Sequence, residues 1–370
     1  MIYLDHAATT PLRKEAFEAM LPYFMEHAAN ANALYDEGRR ARAAIDHARQ
    51  QIADAIHAQT GEIYFTGGGS ESDNWALFGI MRAMKEKNHI VTTQIEHHAV
   101  LNACSALENL GYKVTYVPVD SFGCVSPRDV ERVMRPETGM VSVMLANNEV
   151  GTLQPISEIA EIAHAHGALM HTDAVQAVGH IPVDVHALGV DLLSMAAHKF
   201  YGPKGIGALY IKDKIKITNL IYGGEQERGL RAGTENTPSI VGMGEALTLA
   251  CAEMEGASLR VARLRDLLEH EILKQIPGAR INGTPANRLP GTLHVTFPGA
   301  DTNMLLMRLD MEGIAVSAGS ACAAGARERS HVLKAMHVPE GADVRFSLGM
   351  ENDETQIRQT VEALCRILNG

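Results

Sequence analysis

Cysteine, positive charge and long apolar runs are all scarce in this sequence, and each scarcity removes a class of protein. Its 370 residues include five cysteines, Cys104, Cys124, Cys251, Cys322 and Cys365, widely spaced and without a Cys-x-x-Cys pair. An odd, scattered set is neither a disulfide framework nor a zinc site. Lys and Arg number 33 against 44 Asp and Glu, a formal charge of −11. Such a surface repels phosphodiester backbones and anionic lipid, so no direct nucleic-acid or membrane role is expected. The longest apolar stretches, such as the one at 140–146, fall far short of the ~20 residues that span a bilayer. The opening MIYLDHAATTPL has no basic segment followed by an apolar one and does not read as a secretory leader. A reducing cytoplasm is the expected address.

What remains is a globular chain, 46% hydrophobic and 21% charged, long enough for roughly 2.5 domains of typical size. Short β-branched, apolar runs recur at 62–66, 90–95, 113–119, 140–146, 168–172, 191–195 and 207–211. Helical patterns at 72–86, 98–111, 127–135 and 156–166 lie between them, the last closed by Gly167. Alternation of this kind predicts an α/β domain with a mainly parallel seven-stranded sheet covered on both faces. Ligands of such sheets sit at the carboxyl ends of the strands. Beyond about 240 the texture changes to a long amphipathic stretch over 239–275. Strand-like pieces at 291–297, 313–317 and 343–348 follow, flanked by helical segments at 302–311 and 354–368. We therefore expect a large domain over 14–245 and a smaller α+β domain formed by 1–13 and 246–370.

Three places carry chemistry. TGGGSES at 66–72 follows a strand and opens a helix; its glycines admit close backbone approach and the helix start offers unpaired N–H groups, an arrangement suited to phosphate. Read alone, glycines between strand and helix are more often simple turn punctuation. HTDAVQAVG at 171–179 places Asp173 at a strand end, where it is either a ligand group or a helix cap. MAAHKFYGPKG at 195–205 places His198 and Lys199 at the end of the next strand, where the lysine faces the crevice or is a plain surface residue. Together they suit pyridoxal 5'-phosphate. The lysine makes the Schiff base, the aspartate keeps the pyridine nitrogen protonated, and the loop takes the phosphate. The 17 histidines show no pair with convincing ligand spacing on a helix face, so no metal site is expected.

The motifs GGSES, IEHHAV, ANNEVGT, HTDAVQ, AAHKFYGPKG, QERGLRAGTEN and SAGSACAAG stand in the same order as in cysteine desulfurases of the NifS/IscS group. The chain resembles that group over essentially its whole length. The resemblance implies a fold-type I pyridoxal-phosphate enzyme of the class V aminotransferase superfamily, converting L-cysteine to L-alanine. Sulfur would pass to Cys322 as a persulfide and then to an acceptor, such as an iron–sulfur scaffold or a tRNA-thiolation protein. By the same resemblance Lys199 is the cofactor lysine, with Asp173 on the ring nitrogen and Gln176 near the ring hydroxyl. His97 stacks on the ring and acts as acid/base, whereas His98 is structural. Asn148 lies near ring hydroxyl and substrate, and Arg345 clamps the substrate carboxylate with its guanidinium fork. Gly69, Ser70 and His198 belong to the phosphate site, which Thr234 reaches from a neighbouring subunit, so a homodimer is expected. Cys104, Cys124, Cys251 and Cys365 read as buried filler. Cys322 lies among glycines and small residues, in a loop from which a thiol can reach both substrate and acceptor.

Some positions depart from the group's pattern. Gly67 and Ser70 stand where serine and threonine are usual, Ala196 replaces a serine, and 30–35 reads NANALY instead of NPSS-x-H. A lost hydroxyl contact to phosphate costs on the order of 1.5–3 kcal/mol unless water or backbone replaces it, so weakened cofactor affinity is expected. Three alternatives stand beside the desulfurase. Two are enzymes: a selenocysteine lyase, and a class V aminotransferase acting on another amino acid, against which the thiol loop argues. The third is a cofactor-binding regulatory homologue that delivers no sulfur.

Overall fold

The computed structural model of the protein describes residues 1–319 and 329–369. In chain order the elements are β1 (Ile2–Tyr3), α1 (Lys14–Met20), α2 (Pro22–Met25), α3 (Asp36–Ala55), β2 (Ile63–Thr66), α4 (Gly69–Ala83), β3 (His89–Thr93) and α5 (His98–Asn109). Next come β4 (Lys113–Val117), α6 (Pro127–Val133), β5 (Thr138–Ser142), α7 (Ile156–Ala165), β6 (Leu169–Asp173), α8 (Val185–Leu188), β7 (Leu192–Ala196) and β8 (Gly207–Ile211). The remainder is α9 (Thr237–Gln275), β9 (Arg280–Asn282), β10 (Thr292–Phe297), α10 (Thr302–Met311), β11 (Ile314–Ala315), α11 (His331–Ala335), β12 (Ala342–Ser347) and α12 (Glu354–Asn369).

The seven-stranded sheet has the order β2-β8-β7-β6-β5-β3-β4. The pairs from β7 to β4 are parallel, while β8 runs antiparallel to both its neighbours. The continuous apolar runs explain the two covered faces, because successive side chains point to opposite sides. Val91, Val141 and Leu193 enter one core with Ile45, Ile52 and Met243. Their chain neighbours Ile90, Met140 and Leu192 enter the other with Trp75, Leu77 and Leu107.

A separate core gathers Leu4, Leu268, Leu293, Val295, Phe297, Val344, Phe346 and Leu364 around the antiparallel sheet β12-β10-β9. The amino-terminal segment joins it: β1 pairs in parallel with β11, and Ser347 N donates to Leu4 O. Helix α9 supplies Ile240, Met243 and Leu247 to the first core and Leu264, Leu268 and Ile272 to the last. Two expected strands end early. Of 313–317 only Ile314–Ala315 pairs, because Ser317 turns away to bridge Arg345. The run 140–146 leaves regular pairing after Ser142, where Val143 N and Leu145 N follow the carbonyls of His171 and Asp173.

Candidate active site

The carboxyl ends of β5, β6 and β7 open on a cavity of about 180 Å³ whose lining includes Gly69, Ser70, His97, Asn148, Asp173, Gln176, His198, Lys199 and Arg345. Nine residues expected from sequence to form one site are thus brought together. On one wall the loop from β2 enters the fifteen-residue α4 through Gly68, at φ +147°, a region that favours glycine. A Cβ on Gly207 of β8 would stand 2.8 Å from the backbone of Gly68, so the loop lies directly on the sheet. Gly67 N is taken by the Glu71 carboxylate at 2.7 Å. Gly68 N donates to Thr66 Oγ1 at 3.4 Å, and the N–H groups that follow lie at the positive end of the helix, where an anion is stabilised.

Lys199 follows β7 in a short 3-10 turn. Its Nζ donates to the carbonyls of Ala7 and Ala8 at 2.6 and 2.8 Å, and its own carbonyl accepts from His180 Nε2 at 2.7 Å. Gln176 Nε2 also donates to Ala7 O. Asp173 closes β6, with Oδ1 accepting from Val175 N at 2.9 Å; a turn and not a helix follows, so Asp173 caps no helix, and its side chain lines the cavity. Burial lifts its carboxyl to about 6, against the pull of the Val175 N–H and of Lys199.

His97 caps α5, its Nδ1 accepting from Ala99 N at 3.1 Å. That contact fixes the neutral tautomer with the proton on Nε2. Burial and the nearby Lys199 cation hold its pKa down to about 4, so the ring is neutral at pH 7. His198 is likewise lowered to about 4 by burial and Lys199, and its Nδ1 lies 3.2 Å from Thr9 Oγ1.

Arg345 comes from β12 of the second core and is 1% exposed. Its Nη1 donates to Asn148 O and its Nη2 to Asp5 Oδ1, each at 2.8 Å. Its Nε is buried without a hydrogen-bond partner among the described residues. An arginine held in place with a spare buried donor is prepared for an anionic ligand.

The lining also contains residues that sequence reasoning missed: Ala7, Ala8, Asp73, Met144 and Val175, together with Ala196, which was noted only as a departure. Asp73 was open to discovery, since Ala76, Leu77 and Ile80, three, four and seven residues on, are all buried, which puts it on the inner face of α4. Glu96, fully buried, accepts from Thr93 Oγ1 at 2.6 Å and from Met144 N at 3.1 Å. Thr234 is exposed in the loop before α9 and does not line the cavity. Cys322 lies outside the described residues. Of the thiols read as buried filler, Cys104 is buried and pushed up to about 12. The other three are half-buried, Cys124 in a turn and Cys251 and Cys365 within α9 and α12; burial raises each of them too.

Residues 2–360 match the family described as aminotransferase class-V. The chain belongs to the class-V aminotransferase family. Within the class-V aminotransferases it is 48% identical over 371 residues to the protein named cysteine desulfurase IscS of Dictyoglomus turgidum, covering 99% of this chain and 94% of that one. A solved structure described as a NifS-like protein superposes with a TM-score of 0.94 at 37% identity, covering 100% and 99% of the two chains. A second, described as SspA in complex with cysteine, gives a TM-score of 0.84 at 38% identity over 95% of this chain and 100% of the other.

Proposed function

We infer that this chain is a pyridoxal-phosphate-dependent cysteine desulfurase. The observation that carries the reading is one cavity shared by the Lys199 amine, the buried Asp173 carboxylate, the glycine cradle of α4 and Arg345, whose Nε has no hydrogen-bond partner among the described residues. Those groups fit the cofactor: Gly69, Ser70 and His198 would take its phosphate, Asp173 its ring nitrogen and Lys199 its carbonyl carbon. When bound it supplies an electron sink for charge developing at the substrate's α-carbon.

The chain's own residues do the rest. Arg345 holds the substrate carboxylate, with Asn148 fixed by the Arg345–carbonyl bond. Lys199 takes the α-proton. His97, neutral and protonated on Nε2, is set to donate a proton from that atom. The Cys322 thiolate takes the substrate sulfur. The carbon–sulfur bond breaks, a sulfur–sulfur bond forms, and L-cysteine plus thiol become L-alanine plus persulfide, with no outside oxidant.

Cys322 owes its role to the SAGSACAAG motif, and the similarity to a protein solved with cysteine supports the substrate. We further place Thr234 on a neighbouring subunit's phosphate site in a homodimer, an acceptor protein downstream of Cys322, the cytoplasm as the location, and a division between the domains within α9 near 245. Among the described residues no helix is long and apolar enough to cross a membrane. The test is alanine and sulfide release from L-cysteine under reducing conditions. Wild type is expected to turn over, while Cys322→Ala and Lys199→Ala are not. A cofactor-loaded wild type that is inert, or a Cys322→Ala variant of equal activity, overturns the reading.

A further inference from the structure

A second carboxylate lies in the cavity with Asp173. Asp73 projects from the first turns of α4, is 1% exposed, and lines the same space as Lys199 and Asp173. Its Oδ1 has no hydrogen-bond partner among the described residues. The basic group nearest this oxygen is His171 Nε2 at 3.7 Å. That ring is fully buried between two hydroxyls, with Nδ1 2.8 Å from Ser142 Oγ and Nε2 3.0 Å from Ser194 Oγ. Burial pushes His171 down to about 3, so it stays neutral and gives Asp73 no counter-charge.

The titratable neighbours of Asp73 that act on it are themselves acidic. Asp173 at the end of β6 and Glu96 before α5 both disfavour its ionised form, burial disfavours it more, and the Ser194 hydroxyl on β7 offsets only part. The Lys199 cation acts on Asp173. Two carboxylates enclosed together cannot both ionise cheaply, and the one next to the cation keeps the charge.

We propose that Asp73 is a positioning residue present as a neutral carboxylic acid, so that Asp173 alone supplies the negative charge facing the cofactor ring. This rests on the pyridoxal-phosphate reading above. An ionised Asp73 would draw the same positive ring away from Asp173, or would take the charge of Lys199 for itself. As a neutral acid it occupies the cavity lining with Asp173 without competing for positive charge.

The test uses full-length apoprotein titrated with pyridoxal 5'-phosphate, reading visible absorbance at several pH values, and compares Asp73→Asn, Asp73→Ala and Asp173→Asn. The amide keeps the shape of a neutral acid, so Asp73→Asn should bind within about threefold of wild type, with the same dependence of absorbance on pH. Asp173→Asn removes a charge-assisted contact and should weaken binding roughly 10- to 150-fold. Asp73→Ala leaves a void in the cavity lining and should fall between them, with a displaced absorbance. Asp73→Ser, smaller and also neutral, gives an independent check of the same order should the amide fail to fold. If Asp73→Asn weakens binding as much as Asp173→Asn, Asp73 is ionised and the proposal fails while the cofactor reading stands. If Asp173→Asn binds like wild type, the cofactor reading itself fails.

Discussion

Replacing Glu96 by glutamine should flatten the pH dependence of stability. Glu96 is fully buried, and burial first, with Asp173 adding to it, raises its carboxyl from 4.5 to about 8. The folded chain therefore binds this proton more tightly than the unfolded chain does. A raised acid contributes stability that is complete below 4.5 and lost as pH rises toward 8. At about 1.4 kcal/mol per pH unit the whole loss approaches 5 kcal/mol, a large share of the 5–15 kcal/mol typical of folded proteins. Glutamine cannot ionise, yet it still accepts from Thr93 Oγ1 and Met144 N. Its extra N–H group costs roughly 1–3 kcal/mol if unpaired, independently of pH. The slope, not the offset, is thus diagnostic. Urea unfolding of the cofactor-free chain at pH 6, 7, 8 and 9 measures it. Wild type should lose ground against Glu96→Gln by about 1 kcal/mol per pH unit up to pH 8 and little beyond. A difference constant to about 0.5 kcal/mol across that range would refute the argument.

Two other substitutions probe the cavity walls. Arg345→Lys keeps the charge but loses the fork that holds Asn148 O and Asp5; the KM for L-cysteine should rise roughly 10- to 100-fold, more than kcat falls, as steady-state kinetics would show. An unchanged KM would remove Arg345 from carboxylate binding. Gly207→Ala puts a Cβ 2.5 Å from Met195 O and 2.8 Å from the Gly68 backbone, which must shift. Thermal unfolding should show a loss of about 1–3 kcal/mol, and the displaced cradle should weaken cofactor binding along with it.

The sheet was legible because its strands are buried on both faces, so β3, β5, β7 and β8 read as short runs of apolar, β-branched and small residues with no charged side chain. Lys199 and Asp173 were legible for a related reason, since each polar residue interrupts or ends such a run. The floor and the near wall were harder to see. Ala7 and Ala8 reach Lys199 only because β1 pairs with β11, more than 300 residues away in sequence, and nothing local in HAATT encodes that. The Asp5 partner of Arg345 depends on the same return of the chain. Asp73 was missed because its neighbours in ESDN look like the polar start of any helix, although the stripe at Ala76, Leu77 and Ile80 marks that face as inner. The short β11 reflects a choice at Ser317 that only the position of Arg345 decides.

Helix α9 has a mechanical consequence. Its 39 residues make a beam roughly 58 Å long, embedded at one end beside Lys199's sheet and at the other beside the strand that carries Arg345. Between the two embedded ends lies Gly256, exposed and with open space where a Cβ would stand. Glycine weakens a helix by about 1 kcal/mol relative to alanine, so the beam is softest at the point where neither core braces it. Bending of the beam at that point would move the core beneath Lys199 relative to the strand that carries Arg345, two residues that line one cavity.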